Sequence, residues 1–186
     1  MTCPRISTKS HVFALVVLAG MAILLGLGVL SWRWFAGNPY TGHPSDADFI
    51  AVFKTHRQEF EKLRGMVTTD EPLRRIFPDS VQPEDYQSRG ISEQRIAEYH
   101  QLIRALKLHD VSATPNRGII TFTISTEGML SRGSAKGIEW RREAPDPSTM
   151  TTGSLDAFAR AEKAARSKNR IGYRRIEEHW LLVFSD

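Results

Sequence analysis

The sequence PNRGIITFTI, residues 115–124, marks the point where the pattern of this chain changes from helical to extended. Upstream of Gly118 the apolar residues recur every three or four positions. Downstream of it, apolar and threonine side chains alternate, at Ile120, Thr121, Phe122, Thr123 and Ile124. A period of two is typical of a strand that buries one face. We therefore expect helices before this segment and strands after it.

Two amphipathic helices are predicted upstream. The first follows a capping box at residues 45–48 and keeps its apolar stripe as far as Val67. The second begins at the N-cap Ser92 and stops near Leu108. Residues 70–90, which contain three prolines, predict an irregular, turn-rich connection with one short helix.

Strands and one insertion are predicted downstream. Residues 131–137 are punctuated by glycines and predict a turn, and residues 138–141 alternate like a second strand. Residues 154–168 are alanine-rich and predict either a helix or a mobile excursion. Residues 171–176 and 180–184 predict a closing hairpin. The predicted fold class is α+β: a two-layer domain in which helices pack on a mainly antiparallel sheet of about four strands.

The N-terminal segment predicts a transmembrane helix. Val12–Leu30 is a run of 19 residues without a charge, which at ~1.5 Å per residue nearly spans a bilayer core. Aromatic residues follow it at once, as they do at a membrane interface: Trp32, Trp34 and Phe35. Residues 12–35 are therefore predicted to be the helix and its interface. The alternative is a signal peptide cleaved near Gly26–Gly28.

The predicted span divides the chain into four parts. Basic residues before the span place residues 1–11 in the cytoplasm. Residues 36–44 are rich in turn formers and predict a linker, and residues 45–186 predict an exported domain. The predicted location is the cytoplasmic membrane, with residues 36–186 outside it, which is the periplasm in a Gram-negative cell.

Charge and cysteine content exclude several classes of protein. The chain has 25 Lys and Arg and 21 Asp and Glu. Three of the bases and none of the acids lie in residues 1–40, so the remainder is nearly neutral. A neutral domain lacks the charge that nucleic-acid binding requires, so no nucleic-acid partner is predicted. The single cysteine excludes a fold held by internal disulfides.

The closing segments of the chain resemble those of a known group of proteins. Residues 173–184 read YRRIEEHWLLVF, and residues 133–138 read GSAKGI. Together they resemble small membrane-anchored or lipoprotein-type bacterial envelope proteins that pair a glycine–serine–lysine–glycine strand with a terminal hairpin. The resemblance covers roughly residues 90–186 and implies the strand architecture, with no established activity. The hairpin turn and the alanine-rich insertion depart from the group.

Ser134 and Lys136 are the candidate catalytic pair. Residues two apart in a strand share a face, so the lysine is placed to act as base to the serine nucleophile. Lys136 also shares the presumed inward face with Ile138 and Trp140. There it would neutralise an anionic ligand or pair with a buried carboxylate. The alternative is a lysine whose stem packs inward while its ammonium reaches water.

Three functions follow from these features. The leading one is a single-pass, non-catalytic envelope protein whose outer domain binds another protein, as an accessory subunit or as an immunity-type protein that meets an incoming toxin. The second is a pocket for a small anionic or lipidic ligand, lined by Lys136, Trp140 and Trp180. The third is a serine–lysine hydrolase. The histidines show no metal-ligand spacing, so neither a metal nor a cofactor is predicted. The oligomeric state is left open.

Overall fold

The computed structural model describes residues 42–129, 132–151, 153–165 and 170–186. The helices are α1 (Asp46–Thr55), α2 (Arg57–Thr69), α3 (Glu93–Ala105) and α4 (Leu155–Ala165). The strands are β1 (Arg75–Ile76), β2 (Val81–Gln82), β3 (Asp110–Thr114), β4 (Ile119–Met129), β5 (Arg132–Arg141), β6 (Ile171–Arg175) and β7 (Trp180–Ser185). All of them belong to one compact unit, Tyr40–Asp186.

The strands form one sheet in the order β2-β1-β3-β4-β5-β7-β6, and every neighbouring pair is antiparallel. The register of β4 and β5 places Phe122 opposite Ile138 and Ile120 opposite Trp140. The core contains Phe122, Ile138 and Trp180 together with apolar residues of the helices. The alternation at residues 120–124 therefore predicted the buried face of β4 correctly.

The helix starts follow local sequence signals. Ser45 and Asp48 form the predicted capping box at α1, and Ser92 caps α3 as predicted. The helix predicted over residues 45–67 is interrupted at His56, whose backbone leaves the helical region at φ −113° and ψ 28°. Both α1 and α2 nevertheless direct aromatic residues into the core, and Phe53 and Phe60 are fully buried. The apolar stripe thus survives the break in the backbone.

The strand count predicted from the sequence is wrong, because the sheet has seven strands and not about four. The additional strands are β1, β2 and β3. The first two have only two residues each, and they interrupt the segment predicted to be irregular. Strands this short carry no periodicity, so only their hydrogen bonds to neighbouring chain define them. The α+β class itself agrees with the structure.

The turn predicted at residues 131–137 is also wrong, because residues 132–137 belong to β5. Gly137 lies opposite Thr123 in the β4–β5 ladder. A Cβ atom at this position would come closer than 3.0 Å to the carbonyl oxygen of Phe122, a distance that Cβ contacts essentially never show. Glycine is required there by the close approach of two strands, and it does not mark a turn.

The predicted transmembrane helix does not appear among the helices of the structure. In the part of the chain that the structure describes, no helix is long and apolar enough to cross a membrane. Residues 12–35 lie outside the described residues, so no membrane span is assigned. The predicted location of residues 36–186 is not tested by the structure and stays a prediction.

The insertion between β5 and β6 covers both faces of the sheet edge. On one face Met150 packs against a small cluster of Tyr173, Leu181 and Val183, and the Thr151 N–H donates to the carbonyl of Tyr173 at 2.8 Å. On the other face α4 lies over Gly172, where a Cβ would meet the ring of Phe158 at 2.8 Å. Residues 155–165 of the segment predicted as helix or mobile excursion are therefore helical.

Candidate functional site

Four charged side chains meet beneath α1 and α4 and form what we call the Lys136 cluster: Lys136, Asp46, Asp156 and Arg174. The Lys136 ammonium donates to Asp156 Oδ1 at 2.5 Å and to the carbonyl of Pro44 at 3.0 Å. It also lies 2.8 Å from Asp46 Oδ1, without the alignment of a hydrogen bond. Arg174 donates to the other oxygen of Asp46 at 2.8 Å. The cluster therefore balances two positive and two negative charges.

The starts of two helices hold the carboxylates in place. Asp46 and Asp156 lie in the first turns of α1 and α4, where unpaired backbone N–H groups favour negative charge. Each carboxylate accepts from the other helix: the N–H of Leu155 donates to Asp46 Oδ2 at 2.8 Å, and the N–H of Asp46 donates to Asp156 Oδ2 at 3.1 Å. The acids thus join α1 to α4 across more than a hundred residues of sequence.

Burial and charge act in opposite directions on Asp46. Desolvation alone would raise the pKa of its carboxyl. The ion pair with Lys136, together with the hydrogen bonds from Arg174 and the Leu155 N–H, outweighs it and holds the pKa of Asp46 below its usual value. Asp46 is therefore ionised although its side chain is only 4% exposed.

The residues predicted to line a ligand pocket do not share one. Lys136 lies among carboxylates, with its Nζ 5.1 Å from the centre of the Phe49 ring. Trp180 is buried in the aromatic core, 4.9 Å from Phe53 between ring centres. Trp140 lines a separate cleft of about 40 Å³, which has room for a few water molecules. Trp140 and Trp180 lie opposite each other on β5 and β7, whereas Lys136 contacts the carboxylates at the starts of α1 and α4.

The predicted partner of Ser134 is replaced by a histidine. Ser134 Oγ lies 2.8 Å from His43 Nε2, and Ser125 Oγ lies 2.9 Å from His43 Nδ1. A serine against an imidazole that a third group orients is the geometry of an activated nucleophile. The imidazole is, however, fully buried, and Ser134 lines neither the cleft at Trp140 nor the groove described below. We therefore interpret the contact as structural: His43 holds the start of the domain against the β4–β5 hairpin.

Sequence reasoning missed His43 because it lies within the predicted linker, 82 and 91 residues from its two serine partners. Of that linker the structure describes residues 42–44. Their burial and their contacts with β4 and β5 attach them to the domain. A histidine beside Pro44 in a turn-rich segment carries no local signal that predicts such a contact.

A groove lies beside the edge strand β6, and we call it the β6 groove. Its walls are the loop residues 148–151, 153 and 154, the α4 residues Ala157 and Phe158, and Arg170 and Ile171 at the start of β6. Its volume is about 680 Å³, and it is open to solvent. Ile171 is 46% exposed. Among the described side chains, it is the one large apolar side chain that is exposed to solvent.

A second polar network lies on the face of the sheet opposite the helices. Arg141 donates to Glu139 and to the hydroxyl of Tyr173, and Thr121 donates to Glu139 at 3.0 Å. Burial raises the pKa of Glu139 above its usual value, and Arg141 only partly offsets this effect. The arrangement closes the region around Tyr173 instead of opening a binding site.

No group of three or more His, Cys, Asp or Glu side chains among the described residues is arranged to hold a metal ion. No known protein family, curated protein or solved structure matches this chain.

Proposed function

We propose that the domain binds a partner protein and that the β6 groove receives a segment of that partner. The observation that supports it is the exposure of Ile171 in the groove wall. Scattered exposed apolar residues are ordinary on protein surfaces, but here the large apolar side chains of the described residues are otherwise at least partly buried. Completing the burial of Ile171 against a partner contributes about 1 kcal/mol.

The shape of the groove favours a protein segment over a small molecule. Pockets for small ligands are concave and enclose most of the surface of the ligand, whereas this groove is open. It also runs beside the first residue of the edge strand β6, upstream of Tyr173, where Met150 and Thr151 already pair with that edge; extended chains commonly bind to the edge of a sheet.

The charge of the groove narrows the chemistry of the partner. Among the described residues that line the groove, Arg170 is the one that carries a charge. Its side chain is 61% exposed, with a contact of 3.2 Å to the buried Glu162. A partner segment that fits this groove would pack an apolar side chain against Ile171 and place a carboxylate near Arg170.

The Lys136 cluster is a poor binding site for a ligand, which favours the β6 groove as the place where a partner binds. The two carboxylates neutralise the ammonium, and its side chain is 2% exposed. An anionic ligand would have to displace buried carboxylates that two helix starts hold in place. The arrangement therefore gives no support to the pocket for an anionic ligand that the sequence suggested as an alternative.

The test is a selection of short random peptides displayed on phage against the immobilised full-length protein. Enriched peptides are then measured for binding to the wild type, to Ile171→Asp and to Arg175→Asp. Arg175 lies on the same strand but does not line the groove. We expect enriched sequences that pair an apolar residue with an acid, that lose at least tenfold in affinity on Ile171→Asp, and that keep their affinity on Arg175→Asp. Failure to enrich any sequence, or equal binding to both variants, would contradict the proposal.

A further inference from the structure

The Lys136 cluster brings an amine and a carboxyl carbon to reacting distance. Lys136 Nζ lies 2.5 Å from Asp156 Oδ1. Because a carbon–oxygen bond is about 1.2 Å long, the Asp156 carboxyl carbon lies within about 3.7 Å of the nitrogen. Reacting atoms in productive complexes approach to about 3–3.5 Å. The pair therefore needs only a small displacement to form a bond.

The surroundings of the pair restrict the access of water. The Lys136 side chain is 2% exposed and the Asp156 side chain 15% exposed. The Phe49 ring lies 5.1 Å from Nζ. Water released by a condensation would have little room to return to the site and reverse the reaction.

The neighbouring groups match the demands of an amide-forming step. Asp46 Oδ1 lies 2.8 Å from Nζ and is aligned with no hydrogen-bond donor, so it is placed to accept a proton from the nitrogen. Arg174 holds the other oxygen of Asp46 and preserves its charge. The backbone N–H of Asp46 donates to Asp156 Oδ2 at 3.1 Å, where it stabilises the negative charge that develops on that oxygen during attack.

From this geometry we infer that Lys136 and Asp156 condense to an intramolecular isopeptide bond, with Asp46 as the proton carrier. The lone pair of Nζ forms the bond to the carboxyl carbon of Asp156. Asp46 takes two protons from Nζ in turn, the first to free that lone pair and the second after attack, and passes each to the departing oxygen, so that the carbon–oxygen bond breaks and the oxygen leaves as water. One ammonium and one carboxylate become one amide and one water molecule, so no oxidant, reductant or cofactor is consumed. Asp46 is returned unchanged.

The crosslink goes beyond binding of a partner and has a consequence for the fold. It ties β5 to the first turn of α4 by a covalent bond, and α4 forms one wall of the β6 groove. The segment between residues 136 and 156 becomes a closed loop. Local opening of α4 away from the sheet is then prevented.

The test is the mass of the intact full-length protein, followed by tryptic digestion. We expect the wild type to lack the mass of one water molecule and to yield a branched peptide that joins residues 136 and 156. Lys136→Arg and Asp156→Ala should show their full calculated masses. Asp46→Asn should also show its full mass, because it retains the size of the side chain but not the charged proton acceptor. The matched control is Asp48→Ala, an exposed acid in the same helical turn, which should still lose water.

The wild-type measurement decides the matter, whether or not every variant folds. Wild-type protein at its full calculated mass would overturn the inference and leave Lys136 and Asp156 as an ion pair. Loss of water at any other pair of residues would overturn it as well. Complete crosslinking in Asp46→Asn would refute the role given to Asp46.

Discussion

Replacing Gly137 by alanine tests the close approach of β4 and β5 beside the Lys136 cluster. The added Cβ would come closer than 3.0 Å to the Phe122 carbonyl oxygen and 3.1 Å from Thr123 Cα. Both are backbone atoms of a paired strand, so no side chain can rotate away to make room. Gly137 is also opposite Val183 of β7, which restricts the movement of β5 in the other direction. The substitution must therefore force two central strands apart.

The magnitude follows from two opposing effects. Forcing a methyl group into a well-packed region costs about 1–3 kcal/mol, and the upper end applies because the neighbour is backbone. Alanine regains up to about 1 kcal/mol through the smaller conformational freedom of the unfolded chain. The expected net loss is about 2 kcal/mol in the free energy of unfolding. For a domain of this size that loss lowers Tm by roughly 4–8 °C.

The measurement is urea unfolding followed by tryptophan fluorescence, with calorimetry for Tm. Gly65→Ala is the matched control, because a Cβ at that position in α2 meets no atom within 4 Å. It should stabilise the protein by up to about 1 kcal/mol through helix propensity. If Gly137→Ala proves as stable as the wild type while Gly65→Ala behaves as expected, the argument from strand approach is refuted.

Two further predictions concern buried polar groups. Burial raises the pKa of Glu139 above 4.5, so the folded protein holds this proton to higher pH than the unfolded chain, and stability falls as the pH rises from 4.5 through the raised pKa. Glu139→Gln should remove this loss. The difference in urea midpoint between variant and wild type should then grow across that range, and a difference independent of pH would contradict the assignment. His43→Ala should lower the free energy of unfolding by about 2–3 kcal/mol, because it leaves two serine hydroxyls without their partner and opens a cavity. The control is His56→Ala, at a side chain that is 40% exposed; it should change the free energy of unfolding by less than about 0.5 kcal/mol. Equal effects in the two variants would contradict a structural role for His43.

The parts of the fold that were predictable depend on neighbours within a few residues. Ser92 caps α3 because its hydroxyl accepts from the N–H of Arg95, three residues away. The final hairpin forms although its turn lacks glycine, because the N–H groups of Ile176 and Glu177 both donate to the carbonyl of Trp180. Such contacts depend on residues that are close in the sequence, so local sequence signals predict them. The periodicity of the apolar residues predicts which face of each element is buried.

The errors share one physical cause, which is pairing over long distances in the sequence. Gly137 is a turn signal by composition, and only the register of β4 against β5 shows that it is a site of close approach. The strands β1 and β2 are too short for a pattern to reveal them. The break at His56 shows that an unbroken apolar stripe does not guarantee one continuous helix.

At the candidate sites too, local geometry was predictable from the sequence and the long-range contacts were not. The sequence alone established that Lys136 shares its face with Ile138 and is therefore directed inward, because side chains alternate along a strand. Which charges meet it there was decided by the tertiary structure, which brings the first turns of α1 and α4 together over β5. The same holds for His43 between Ser125 and Ser134. Local geometry sets the direction of a side chain, whereas its partner depends on how distant elements pack.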